Sequence, residues 1–263
     1  MHTHLIRRLR RLSGFSLVGF LLVSLGVPTG MARGAESEKG FVPIFDGKTL
    51  DGWDGNPKFW RIEDGAVTGQ TTKENPTTGN TFIIWRKGQP GDFELRFEFR
   101  MFGGNSGVQY RSFEIEKAGK WVCGGYQYDI DAASQWTGGV YAERDRGIVA
   151  IRGQKAVIGD DHKPKVVGTV GDKEELKKLV KKEDWNECSV VAKGFHFVQT
   201  LNGQVTCEMT DEDKEMRRKD GIIALQLHAG APMKVQFRNI RLQILKDEVG
   251  RTSQAGRTGR TKN

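Results

Sequence analysis

The chain has 263 residues, 37% of them apolar and 28% charged, the composition of a globular domain, which excludes a disordered or fibrous protein. Its formal charge of +8 belongs to the ends: residues 1–32 carry Arg7, Arg8, Arg10 and Arg11, residues 250–263 carry Arg251, Arg257, Arg260 and Lys262, and neither end holds an acid. The stretch from Arg33 to Val249 balances its basic and acidic residues, so it offers no electrostatic footprint for a phosphate backbone, and no nucleic-acid partner is expected.

The Arg-rich start is followed by the apolar run Phe15 to Val27, then by Pro28 and small residues, which is the order of a secretory signal peptide. Residues 1–34 are read as that signal, with cleavage after Ala32 or Gly34. The thirteen residues from Phe15 to Val27 are short for a bilayer span, and no later segment is long and apolar enough to be a transmembrane anchor. A periplasmic or extracellular location follows. Residues 35–249 are expected to form one domain, and residues 250–263 to be a disordered, polar and basic tail. Cys123, Cys188 and Cys207 are an odd number for an oxidising compartment. They are read as small buried apolar side chains, with one disulfide and a spare thiol as the alternative; their spacing matches no zinc-ligand pattern.

After a linker from Glu36 to Gly40, the first ordered run is FVPIFDGKTLDGW, ending at Trp53. Phe93 to Arg100 alternates apolar and charged residues, the signature of a half-buried strand. Further strands are expected at Gly107 to Phe113, Tyr126 to Asp131, Gly147 to Arg152, Ser189 to Lys193, Phe195 to Leu201, Gln204 to Met209, Ile222 to His228 and Val235 to Leu245. Asn202-Gly203 joins two of them as a hairpin turn. Only Asp172 to Lys182 breaks the pattern, with Leu176, Leu179 and Val180 at helical spacing behind a capping Asp. The fold class is all-β, an antiparallel sandwich with one short inserted helix.

Alternation also says which side chains share a face. Gln109 and Arg111 oppose Val108 and Tyr110; Gln127, Asp129 and Asp131 oppose Tyr126, Tyr128 and Ile130; Gln226 and His228 oppose Leu225 and Leu227. These polar faces carry amides, carboxylates, a guanidinium and an imidazole flanked by glycines, where a hydroxyl-rich ligand can approach closely. Trp85, Trp121, Trp136 and Tyr141 are candidate stacking walls. Retaining sandwich glycanases place acids at alternate positions of one strand, but here the first position is Gln127, which cannot be a nucleophile, so a standard retaining glucanase is disfavoured. Asp160-Asp161-His162 reads as a polar turn rather than a metal site.

Nine motifs in order carry a resemblance: FDGKTLDGW (Phe45 to Trp53), DFELRFEFR, GNSGVQYR (Gly104 to Arg111), GGYQYDID (Gly124 to Asp131), TGGVYAERDRG (Thr137 to Gly147), DWNE, LNG, GIIALQLHAG and VQFRNI. The sequence resembles the 3-keto-disaccharide hydrolase domain family, also described as 3-keto-glucoside 1,2-lyase and 3-keto-2-hydroxy-glucal hydratase, over about Phe41 to Leu245. The resemblance implies a concanavalin A-like jelly roll, an exported carbohydrate-active enzyme, an oxidised saccharide or glycoside as substrate, and a sugar 3-dehydrogenase as the functional partner that installs the ketone. A C3 ketone acidifies the C2 proton and makes the C1 aglycone a β leaving group, so cleavage proceeds by elimination followed by hydration. That chemistry needs a base, a polariser of the ketone and an acid. Asp129 or Asp131 is the candidate base and His228 the second proton-transfer group. Asn105, Arg111 and Gln127 are candidates to orient the sugar, with Gln109 and Gln226 on the same polar face and Glu143 and Arg146 completing the site. A divalent ion on Asp129, Asp131 and His228 is a further candidate polariser; no nucleotide cofactor is expected. The alternative is a non-catalytic, lectin-like carbohydrate-binding module.

Overall fold

The computed structural model describes residues 39–246; the expected signal peptide and basic tail lie outside the described residues. In chain order the first strands are β1 (Val42–Pro43), β2 (Trp53–Gly55), β3 (Trp60–Glu63), β4 (Ala66–Thr71), β5 (Thr81–Trp85), β6 (Phe93–Phe102), β7 (Asn105–Glu114) and β8 (Cys123–Asp131). They are followed by β9 (Val140–Glu143), β10 (Gly147–Ala150), β11 (Gln154–Ile158), β12 (Pro164–Thr169), helix α1 (Lys173–Lys177), β13 (Asn186–Lys193), β14 (His196–Leu201), β15 (Gln204–Asp211), β16 (Ile222–Leu227) and β17 (Met233–Ile244). One sheet of ten strands runs β12-β11-β15-β14-β13-β6-β17-β4-β3, with β1 paired to β17. The other has seven strands in the order β10-β9-β8-β7-β16-β5-β2.

The two sheets bury one apolar core between them. In β6, Phe93, Leu95, Phe97, Phe99 and Met101 point inward and are buried, while Glu94, Arg96, Glu98 and Arg100 alternate outward. Each such ring or branched chain contributes about 1.5–3 kcal/mol on burial. Tyr110, Tyr126 and Tyr128 of β7 and β8 cross the core, and each hydroxyl finds a partner on the opposite sheet. Tyr110 Oη accepts from Gln199 Nε2 at 2.9 Å, Tyr128 Oη donates to the Thr200 carbonyl at 3.0 Å, and Tyr126 Oη donates to Asp211. With their rings committed inward, strand alternation turns Gln127 and Asp129 to the outer face of the seven-stranded sheet.

Turn chemistry follows the sequence. Asn202 and Gly203 take φ of 46° and 85°, the left-handed pair a two-residue hairpin requires between β14 and β15. Asp172 caps α1, accepting from the Glu174 and Glu175 amides at 2.9 Å each. The helix itself is shorter than expected, ending at Lys177 and continuing only as turns that pack Leu179 and Val180 on the core. All three cysteines are free and buried. No helix among the described residues is long and apolar enough to cross a membrane.

Candidate functional site

A cleft of about 290 Å³ opens on the outer face of the seven-stranded sheet. Strand β8 supplies Gln127 and Asp129, β7 supplies Asn105, and β9 supplies Tyr141 and Glu143. From the other flank come Gln226 of β16, His228 just past its end, and Asn80 just before β5, while Trp136 and Ile148 stand at the rim. Glu143 accepts from Gln226 Nε2 at 3.1 Å and from Asn80 Nδ2 at 3.3 Å. On a flat sheet β9 and β16, three strands apart, would stand about 14 Å from each other. The contact therefore requires both side chains to lie across the sheet, and the sheet to curl inward beneath them.

A hydrogen-bonded relay fixes the cleft floor. Ser112 Oγ donates to Gln109 Oε1 at 2.6 Å, Gln109 Nε2 donates to Gln127 Oε1 at 2.7 Å, and Gln127 Nε2 donates to Asp129 Oδ1 at 3.2 Å. The direction of each donor sets the orientation of both amides, leaving the second N–H of Gln127 free. The Gln127 side chain lies across Gly107, where an added Cβ would come within 2.3 Å of Gln127 Cδ. Gly107 is therefore the gap that the amide fills.

Burial pushes the Asp129 carboxyl from 3.8 up to about 7, against the lowering effect of the Gln127 hydrogen bond and with the Asp131 charge adding to the rise. Asp129 is thus poised to hold or release a proton near neutrality. The half-buried Tyr141 hydroxyl is pushed up, first by desolvation and then by the charges of Glu143 and Asp129, which places it beside both carboxylates. His228 Nδ1 lies 2.5 Å from the Ala229 carbonyl; a carbonyl only accepts, so Nδ1 carries the hydrogen and Nε2 is the nitrogen left for chemistry. Gln226 Oε1 is buried with no hydrogen-bond partner, and its Nε2 is spent on Glu143, so Gln226 acts by holding Glu143.

The structure gathers Asn105, Gln127, Asp129, Glu143, Gln226 and His228 around this cleft. Gln109 is fully buried beneath Gln127 and acts through it. Asp131 has the expected face but sits at the end of β8, where its carboxylate accepts from the amides of Gln135, Trp136 and Thr137 and from Thr137 Oγ1, at 2.8–3.0 Å. It holds the turn that carries Trp136.

Arg111 lies outside the cleft because β7 carries a bulge: the register with β8 shifts between Tyr110 and Phe113, and Arg111 takes φ of 43°. That extra residue swings its guanidinium away to the carbonyls of Gly91, Gly194 and Arg218 and to Asp92, over the Phe197 ring. Arg146 likewise turns inward, bridging Asp211 at 2.8 Å and Asp213 at 3.1 Å. Trp85 belongs to the core and Trp121 to a small apolar cluster beside the cleft, leaving Trp136 and Tyr141 as the aromatic walls. Asn80 and Ile148 were not legible as site residues; Asn80 is a loop residue whose only sequence signal is its place before the apolar run TFIIW. The trio Asp129, Asp131 and His228 does not fit a divalent ion, since the Asp131 oxygens are taken by four donors. Among the described residues no group of three His, Cys, Asp or Glu side chains is arranged to hold one.

A two-sheet sandwich, antiparallel except for the parallel β11–β15 pair, with a polar, aromatic-walled cleft on one outer face is a concanavalin A-like jelly roll, the architecture of lectins and glucanases. Within that class the chain belongs to the 3-keto-alpha-glucoside-1,2-lyase-like domain family, which matches residues 40–243. A 3-keto-disaccharide hydrolase of Bacteroides thetaiotaomicron is 35% identical over 90 residues, 31% of this chain and 30% of that protein. The chain thus aligns with less than a third of that curated relative. Among solved structures, two Parabacteroides distasonis proteins named as glycosyl hydrolases align with TM-scores of 0.51 and 0.52 at 23% and 20% identity. They cover 78% and 79% of this chain, and 99% and 94% of their own. A galectin-like protein from Bacillus subtilis aligns with a TM-score of 0.51 at 8% identity, over 78% of this chain and 94% of its own. At these identities the likeness is one of fold.

Proposed function

We propose that the chain is an exported enzyme that cleaves 3-keto glycosides by elimination across C1 and C2 followed by hydration, a net hydrolysis. The observation that carries this reading is Asp129, a carboxyl pushed up to about 7 in a cleft that it shares with the free Nε2 edge of His228. Membership of a 1,2-lyase-like family and a relative named as a 3-keto-disaccharide hydrolase support the substrate class.

In the elimination half, the Asp129 carboxylate takes the C2 proton, which the neighbouring ketone acidifies. Asn105 and the free N–H of Gln127 donate to the ketone oxygen as it gains charge. The electron pair forms the C1–C2 double bond, the C1–oxygen bond breaks, and the imidazolium Nε2–H of His228 protonates the departing oxygen. In the hydration half, neutral His228 takes a proton from water as it adds at C1, and Asp129, whose acid proton exchanges with solvent once the aglycone has left the open cleft, delivers a solvent-derived proton to C2. Both groups end as they began. Glu143, held by Asn80 and Gln226, binds sugar hydroxyls, and Trp136 and Tyr141 flank the ring.

A dehydrogenase that oxidises C3 must act before this enzyme. The test is aglycone release by the purified chain from a 3-keto glucoside and from its unoxidised parent, with and without a chelator. Release from the keto form alone, unaffected by chelator, is expected. Sugar binding with release from neither would make the chain a lectin-like module.

A further inference from the structure

Beside the cleft lies a second cavity of about 390 Å³, and Asn80 lines both. Its walls are the turn at residues 56–59, the loop at residues 75–80 with Thr81 at the start of β5, and residues 118–122 between β7 and β8, with Arg144 at the edge. The walls are braced to one another, Asn75 Nδ2 donating to the Lys58 carbonyl at 3.0 Å and the Phe82 amide to the Trp121 carbonyl at 3.0 Å, and the middle loop is held internally by Thr77 Oγ1 donating to the Gly79 carbonyl at 2.7 Å. Trp121 is half-buried on Phe82, Ile84, Cys123, Ile222 and Ala224, which form an apolar cluster separate from the main core. The outer face of the seven-stranded sheet thus has a polar half, the cleft, and an apolar half covered by an aromatic ring.

The charges lining this cavity have one sign. Lys58, Lys120 and Arg144 border it, and no Asp or Glu does, in a stretch whose charges otherwise balance. Both lysines are exposed, and among the described residues neither is within ion-pair distance of a carboxylate. The Lys120 ammonium lies 4.1 Å over the Trp121 ring. Arg144 is already paired with Glu143 at 3.9 Å, and Asp54, held by Trp121 Nε1 at 2.8 Å, lies within the field of Lys120; Lys58 and Lys120 are the charges left to meet an entering anion, and the low-dielectric wall focuses their field into the cavity.

We propose that this cavity is an aglycone subsite for an anionic group, a carboxylate or a sulfate, carried by the leaving half of the glycoside. The proposal rests on reading the adjoining cleft as the place where the sugar is cleaved. Trp121 supplies an apolar face for the aglycone ring, Lys58 and Lys120 bind its charge, and Asn80 marks the passage from one cavity to the other.

The test compares 3-keto glucosides bearing phenyl, 4-carboxyphenyl and 4-(sulfooxy)phenyl aglycones on the full chain, reading kcat/KM for each and, by calorimetry, the Kd of each unoxidised parent. An exposed charge pair changes affinity by roughly threefold, so charged aglycones should be favoured by about tenfold at low salt, with the margin shrinking at 0.5 M salt. The double variant Lys58→Gln, Lys120→Gln should erase that margin while leaving the phenyl substrate unchanged. The two charged probes separate carboxylate from sulfate. Equal values for charged and neutral aglycones, or a margin that survives the double substitution, overturns the proposal. If no keto substrate turns over, the reading of the cleft fails, and the Kd comparison still decides the subsite.

Discussion

Replacing Asp129 by Asn should abolish turnover and make the protein more stable at alkaline pH. Burial raises this carboxyl from 3.8 to about 7, so the folded state binds a proton that the unfolded chain has already released. The sign follows from linkage: the group's contribution is fully present below 3.8, and is lost as pH rises through about 7. Moving the titration that far corresponds to up to about 4 kcal/mol, which the wild type lacks above pH 8. Asn cannot ionise, and its side-chain oxygen still accepts from Gln127. The variant should therefore melt several degrees above the wild type at pH 8.5, by the usual conversion of about 2–4 °C per kcal/mol for a domain of this size. Thermal unfolding followed by circular dichroism at pH 5, 7 and 8.5 reads the difference directly. A variant equal to or less stable than the wild type at pH 8.5, or a difference that does not change with pH, would refute the assignment of a costly buried carboxylate. Activity should run the other way, with kcat/KM falling as pH drops through about 7 and Asp129 takes up its proton.

Three structural predictions accompany it. Asp131→Ala leaves three backbone amides of the 135–137 turn without their acceptor, while Thr137 Oγ1 keeps the backbone carbonyl of residue 131; it should cost about 3 kcal/mol in urea unfolding and raise KM by loosening Trp136. Gly107→Ala drives a Cβ into the space of Gln127, so it should lose about 1–3 kcal/mol and most of its turnover, with Gly107→Ala combined with Gln127→Ala regaining stability without activity. Arg146→Ala removes the guanidinium shared by Asp211 and Asp213; Asp213 keeps His162 at 2.7 Å, but the buried Asp211 loses its cation, and the variant should destabilise by about 3 kcal/mol. Denaturation of that variant should show the loss easing toward acid pH, where the stranded Asp211 carboxylate protonates.

Much of the cleft was legible from period-two alternation, because a strand buried on one face shows its two sides openly. Gln127 and Asp129 opposite three core residues, and Gln226 opposite Leu225 and Leu227, are readable in this way. The strands that alternation missed lack its cause. In TFIIW, Ile83 and Trp85 face the core while Phe82 and Ile84 face the Trp121 cluster, so both sides are apolar and the period disappears. β1, β2 and β3 are only two to four residues long. Arg111 shows a different limit: its parity matches Gln109, but a bulge inserts one residue and reverses the face, and nothing in GVQYRSF announces it. Asp131 keeps its parity and still leaves the cleft, because the strand ends there and unpaired amides of the following turn claim its oxygens. Asn80 enters the cleft from a loop, where no periodicity operates.

The central claim is that cleavage proceeds through removal of the C2 proton by Asp129. It is tested most directly by running a 3-keto glucoside to completion in deuterium oxide and locating deuterium in the released sugar, against an enzyme-free blank and the Asp129→Asn variant. The account predicts one deuterium at C2, placed only by the wild type, together with no cleavage of the unoxidised glucoside. Aglycone release without deuterium at C2, or equal release from the unoxidised glucoside, would contradict it.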